Sequence, residues 1–390
     1  MNARTLSFCA ATTCMVAAVL CACTRSEATV ASTWSPTAAA AYLDQRTSWW
    51  MGWSVASRDH ETFCVSCHTA LPYALSRAAL RGALADQTPT INERRLIENV
   101  TKRVRLRDDR GPYYNDETSG AHKTAQSRGT EAVINALILA NYDAQTGRLS
   151  DDARAAFDQM WAQQKTTGDD KGAWSWLDFD LRPWEAEESA YYGAALAAAA
   201  VGTAPENYRS TPAVQDRLLL LRDYLDRGYA TQSLFNRTVL LWASTKLPGL
   251  VTAERRKSLV TEIVDDERDD GGWSLASMNR TWKGSTLRGY ARSWIRADRS
   301  LVEMKSDGYA TGLVTLTLQQ AGLTRDNVQV ARGLLWLERN QNTSEGFWPA
   351  DSLNVQRPPT SNIGRFMSDA ATAYAVLALT EANRHSTPQH

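Results

Sequence analysis

The stretch Phe63-Cys64-Val65-Ser66-Cys67-His68 places a histidine directly after two cysteines that are three residues apart, the spacing C-x-x-C-H. Two thiols so placed can add to the two vinyl groups of one porphyrin, and the imidazole that follows is then positioned to bind the iron. The cofactor this segment points to is covalently attached haem c, with Cys64 and Cys67 as attachment points and His68 as axial ligand. Three other chemistries use such a pair: half of a zinc site, a structural disulfide, or a redox dithiol. A tetrahedral zinc site needs further thiols or imidazoles at ligand spacing, and Cys64 and Cys67 are the last cysteines of the chain. A thioredoxin-like dithiol belongs in a βαβ context, and no such pattern surrounds the segment.

A second axial ligand decides between an electron carrier and a catalyst. His122 is the expected sixth ligand, because it lies in a stretch without hydrophobic periodicity that can fold back over a porphyrin. His60 and Met51 stand so close before the motif that they would have to wrap around the ring edge. Met278, Met304 and Met367 lie in or beside loops further along and can reach a haem that caps the end of the domain.

The start of the chain reads as an export signal, with Arg4, an apolar run from Leu6 to Leu20, and small residues after it. Leu20-Cys21-Ala22-Cys23 resembles the bacterial lipobox, which implies cleavage after residue 22 and lipid on Cys23. The mature chain would then hold three cysteines, one for lipid and two for haem. Haem of this type is attached on the outer side of the bacterial inner membrane, so the two assignments support one another. No later apolar run is long enough to span a bilayer. The expected location is the periplasmic side of a membrane, held there by lipid. Lys plus Arg and Asp plus Glu both number 43, so nothing in the balance points to nucleic acid. The 14 tryptophans point to large rigid contacts, in a core or around an apolar cavity.

Residues 23–35 are rich in Ser, Thr and Ala and read as a tether. Helices are expected over 37–53, ending in Trp49, Trp50 and Trp53, over 71–80, and over 91–107, followed by a long loop over 108–129. From residue 129 a repeat takes over. Small, apolar helices are expected at 131–142, 188–201, 232–245, 307–320 and 369–381, with charged amphipathic helices between them at 151–164, 212–227, 253–265 and 327–340. A helix apolar all round is buried and one with a charged face lies outside, so the alternation predicts an inner and an outer layer. The expected fold is all-α: an α/α toroid, a barrel of alternating inner and outer helices over 129–383. A helical haem-binding segment (36–128) precedes it, and a short tail (384–390) follows.

Gly172-Ala173-Trp174, Gly271-Gly272-Trp273 and Gly346-Phe347-Trp348 each follow an outer helix, with Gln163, Glu262 or Asp266, and Gln341 shortly before. This pattern resembles the QW motif of the squalene-hopene cyclase, terpenoid cyclase and protein prenyltransferase superfamily. The resemblance implies the toroid and an apolar molecule held within it. Prenyltransferase zinc chemistry is not implied, because no cysteine lies in the repeats. The cyclases protonate their substrate with an Asp-rich motif at the start of an inner helix. Glu185-Ala186-Glu187-Glu188-Ser189-Ala190 is similar to it, which makes Glu187 the implied proton donor, although every aspartate of the motif is replaced. An acid at a helix start is also stabilised by the helix dipole whatever its role, and Asp307, Asp369 and Glu131 are placed likewise. The connection from Ser274 to Ser306 carries Trp282, Tyr290 and Trp294 with Arg280, Lys283, Arg288, Arg292 and Arg296, and reads as a lid, a lipid contact, a clamp for haem propionates or a solvated basic loop.

The function expected from these residues is electron transfer, or haem-dependent redox chemistry on an apolar substrate, with a redox protein as partner. The alternatives are a cyclase or isomerase acting through Glu187, and a non-catalytic module that binds a lipid or a protein.

Overall fold

The computed structural model describes residues 34–106, 109, 120–280 and 294–384. Residues 1–33, with the expected signal, Cys23 and most of the tether, lie outside the described residues. So do Trp282, Lys283, Arg288, Tyr290 and Arg292 of the long connection. From Thr33 onward the chain forms one compact unit.

Among the described residues it is mostly helical: α1 (Pro36–Gly52), α2 (Ala70–Ala83), α3 (Ile91–Leu106), α4 (Gly120–Ala144), α5 (Asp151–Ala162), α6 (Ser189–Thr203), α7 (Pro212–Gly228), α8 (Leu234–Lys246), α9 (Ala253–Asp265), the single turn α10 (Leu275–Met278), α11 (Gly308–Gln320), α12 (Val328–Arg339) and α13 (Phe366–Arg384). A two-residue hairpin, β1 (Ser57–Arg58) against β2 (Thr62–Phe63), leads into the C-x-x-C-H segment. Small polar residues start the helices as caps. Ser35, Ser150, Ser233, Thr252, Asp307 and Asn327 each accept a hydrogen bond from an N–H of the first turn. No described helix is long and apolar enough to cross a membrane.

Six helices pack in a circuit: α2 on α4, α4 on α6, α6 on α8, α8 on α11, α11 on α13, and α13 back on α2. The Ala-rich faces of α6 and α13 and the Gly/Thr-rich face of α11 allow this close approach. At Gly312 an added Cβ would lie 2.6 Å from the Ala375 backbone nitrogen. The amphipathic helices lie against the circuit, α5 on α4, α7 on α6, α9 on α8, α12 on α11 and α13, and α1 on α2 and α13.

The three Gly/Trp turns repeat one geometry. The indoles of Trp174, Trp273 and Trp348, all fully buried, donate to Met160, Ile263 and Leu337 carbonyls at 2.6, 2.8 and 2.7 Å. Each ties its turn to a carbonyl near the C-terminal end of the preceding amphipathic helix; the Met160 and Leu337 carbonyls also accept from the cap N–H groups of Gln163 and Asn340. Truncating any of these rings to alanine would cost about 3–5 kcal/mol. The glycines before them press on the next amphipathic helix: at Gly172 and Gly346, both at positive φ, a Cβ would lie 2.1 Å from the carbonyls of Leu220 and Ala38. Gln164, not Gln163, bridges the first turn, donating to the Gly172 and Arg217 carbonyls at 3.1 Å, because Gln163 closes α5 as its C-cap. Gln341 does the same in the third turn, donating to the Gly346 and Ser35 carbonyls.

Two sequence expectations are corrected. Within the stretch 108–129, expected as a loop, α4 begins at Gly120. Its polar first turns are held by the segment after Trp176, with Lys123 on the Asp178 carbonyl and the Asp178 N–H on Gln126. The division at 128/129 therefore falls inside a helix, and α2 belongs to the same circuit as the repeats that follow.

Candidate functional site

The C-x-x-C-H segment is pinned before α2 begins. Asn99 pairs with Phe63 as a neighbouring strand would, accepting from its N–H at 2.8 Å and donating to its carbonyl at 3.0 Å. The Cys64 N–H donates to Ala56 O at 2.8 Å, and the Trp50 indole donates to the Cys64 carbonyl at 2.7 Å. Ser66 accepts from the Thr69 and Ala70 N–H groups and so opens α2. Beneath the hairpin, Arg103 is fully buried between the Thr62 hydroxyl and the Glu131 carboxylate.

Both thiols are free. Burial pushes both up in pKa, with Glu185 adding to the effect at Cys67, so they stay protonated at neutral pH. Among the described residues no three His, Cys, Asp or Glu side chains gather into a metal cage. That bears on zinc, which takes its ligands from the protein. A haem brings four of its own.

His68 is oriented by a buried chain of hydrogen bonds. Its Nδ1 lies 2.8 Å from Thr69 Oγ1, and that hydroxyl donates to Asp369 Oδ2 at 2.7 Å. Asp369 accepts from Arg46 Nε at 2.7 Å, Arg46 Nη2 at 3.0 Å and the Tyr42 hydroxyl at 2.8 Å as well. Four donors fill the acceptor capacity of an ionised carboxylate. The single Thr69 proton therefore goes to Asp369, and the short contact to His68 requires a proton on Nδ1. The Nε2 lone pair is left for a metal. Burial, assisted by Arg46, lowers the His68 pKa to about 3, so the ring is neutral. Its faces are packed as well: Phe366 stacks on it at 3.8 Å, and Trp50 meets it perpendicularly at 4.8 Å. Trp49 and Trp53 stack on one another at 5.0 Å and border Phe366. The tryptophans that end α1 thus stand at the histidine.

His68 borders a cleft of about 130 Å³ with apolar walls from Trp184, Ile363, Phe366 and Met367 and two cations, Arg182 and Arg357. The chemistry of this lining fits a haem. An imidazole with an available Nε2 lies beside aromatic walls, a thioether, and guanidinium groups of the kind that hold propionates, while the thiols stand outside this cleft, Cys64 lining a separate small pocket with Arg58, Ser127, Thr130 and Glu131. The cleft is smaller than a porphyrin, so admitting one requires the rim to open.

The acid of the expected E-A-E-E motif that reaches this cleft is Glu185, not Glu187. The chain doubles back, with Leu181 and Glu185 exchanging two backbone hydrogen bonds at 2.8 Å, and this turns Glu185 inward and leaves Glu187 exposed. Burial raises the Glu185 pKa to about 7, against a smaller lowering by Lys123. His122 is also displaced from its expected role: it sits exposed in the first turn of α4, its Nε2 2.9 Å from Gln126 Nε2, and it does not line the cleft. Met367 does. Asp307 is a helix cap, accepting from the Tyr309, Ala310 and Leu275 N–H groups.

Thr69, Asp369 and Arg46 are the site residues that sequence reading missed as a unit. The available signal was an acid at the start of an inner helix, which the helix dipole alone accounts for. Compared with family models and with curated proteins, the chain matches none.

Proposed function

We propose that this chain is a c-type haem protein in which Cys64 and Cys67 hold the porphyrin, His68 binds the iron, and a squalene-cyclase-like α/α toroid forms the body. The circuit of six helices with amphipathic helices against it, and the three repeated Gly/Trp turns, support the toroid. The observation that carries the haem reading is the His68–Thr69–Asp369 chain, which keeps Nε2 unprotonated and the ring in one orientation beside two free thiols. A bound haem supplies one-electron redox chemistry. The chain's own residues orient the imidazole, exclude water with Trp50, Trp184 and Phe366, and offer Arg182 and Arg357 to the propionates. Met367 replaces His122 as the proposed sixth ligand, because it lines the same cleft as His68.

With two protein ligands the work is electron transfer with a partner redox protein. Lipid on Cys23 would hold the protein at the periplasmic face of a membrane. A second reading, acid catalysis on an apolar molecule, passes from Glu187 to Glu185, whose raised pKa keeps a proton available in an apolar cleft. The test is the absorption spectrum of protein made together with the haem-attachment machinery. The proposal expects sharp ferrous bands of a six-coordinate c-type haem, lost on replacing Cys64 and Cys67 by alanine. A wild-type protein without these bands contradicts it and leaves the acid reading.

A further inference from the structure

The circuit helices have a second meeting place, remote from the haem motif. The first turns of α2, α11 and α13 carry the Thr69–Asp369 and Trp184–Tyr309 contacts, while towards their C-terminal ends all six circuit helices line a separate cavity of about 340 Å³. That volume lies within the range of small-molecule sites. Its polarity is graded. Leu316 lies four residues before Gln320 on α11, about 6 Å deeper at the helical rise, and with Leu137 and Leu377 it makes an apolar floor. The rim is polar and carries Lys246 at the end of α8.

Among the described residues no carboxylate stands at salt-bridge distance from Lys246. Its ammonium meets the Gln320 side-chain oxygen at 3.4 Å and the face of Trp242 at 5.1 Å, while Glu381, the acid of the rim, pairs with Arg384 at 3.3 Å. Beside it the Trp242 indole N–H is buried and has no acceptor among the described residues. Burial lowers the Lys246 pKa, so a bound anion would restore what desolvation takes away. A lysine in a last turn complements the helix dipole, but that role is met equally well in water. It does not account for a half-sequestered ammonium and an orphaned indole N–H over an apolar floor.

We propose that this cavity binds a medium-chain amphiphile with a carboxylate head, the head on Lys246 and Trp242 and the chain among Leu137, Leu316 and Leu377. The site does not depend on the haem reading. The test is calorimetric titration of the full-length purified protein with octanoate, octanol and octylamine. Octanoate should bind saturably and at least tenfold more tightly than octanol, and octylamine should not bind. Lys246→Met should remove the preference for octanoate while octanol binding stays. Ala79→Phe, which fills the cavity from α2, should weaken both ligands alike. No saturable octanoate binding, equal affinities for octanoate and octanol, tighter binding of octylamine, or an unchanged preference in Lys246→Met would each overturn the proposal.

Discussion

The Thr69 hydroxyl stands 2.7 Å from Asp369 Oδ2, a contact across 300 residues that joins the C-x-x-C-H segment to the first turn of the last helix. Through it the Asp369 carboxylate reaches His68 Nδ1. An imidazole whose N–H leans on a carboxylate donates more electron density to its metal. Thr69→Val should therefore raise the reduction potential, by an amount on the order of the roughly 60 mV that accompanies a tenfold change in a one-electron equilibrium. Asp369→Asn should do more harm to folding, because it leaves Arg46 buried beside a neutral partner. Loss of a buried pair of this kind costs about 3–5 kcal/mol. Redox titration and urea melts of both variants separate the effects; an unchanged potential in Thr69→Val contradicts the relay.

The sixth ligand is tested by comparing Met367→Leu with His122→Ala. Met367→Leu should convert the iron to a high-spin form that binds carbon monoxide rapidly when reduced, and His122→Ala should leave the spectrum unchanged. The opposite pair of results returns the role to His122.

Glu185 should make the haem-free protein less stable as pH rises. Its pKa moves from 4.5 to about 7 on folding, so between these values the folded chain holds a proton that the unfolded chain has released. Stability then falls with increasing pH across that window and levels off above it, a loss on the order of 2–3 kcal/mol. Glu185→Gln should flatten the profile. Urea melts at pH 5 and pH 8 measure both, and a wild-type midpoint that rises over this interval contradicts the assignment.

The thiols should be unreactive in the folded, haem-free protein, since burial keeps both protonated and the thiolate is the nucleophile. Iodoacetamide at pH 7.5, a setting of roughly one unit below an ordinary thiol pKa, should label Cys64 and Cys67 only after urea is added. On the proposed haem reading, attachment would then precede folding. Rapid labelling of Cys67 without denaturant would show that the segment opens freely.

Much of the helical pattern was legible, because burial leaves a mark in composition: α6, α11 and α13 are apolar all round, and α5, α7, α9 and α12 carry one charged face. The start of α4 was not, since Gly120 to Arg128 is polar and is held by partners such as Asp178 that lie beyond any local pattern. Placing α2 apart from the repeats had a similar origin. The motif in front of it drew the boundary, while its packing between α13 and α4 depends on the far end of the chain. Within the site, Cys64, Cys67 and His68 stood out by spacing alone. The choice of Glu185 over Glu187 turned on one backbone reversal at Leu181. The link from Thr69 to Asp369 rests on tertiary contact, which no periodicity encodes.

The intact mass of the denatured protein tests the proposed covalent haem on Cys64 and Cys67 most directly. Protein produced with the attachment machinery should weigh one haem more than the chain with its processing accounted for, and the Cys64→Ala, Cys67→Ala double variant should lack that increment. A wild-type mass equal to the bare chain, or two hydrogens below it from a Cys64–Cys67 disulfide, would contradict the account.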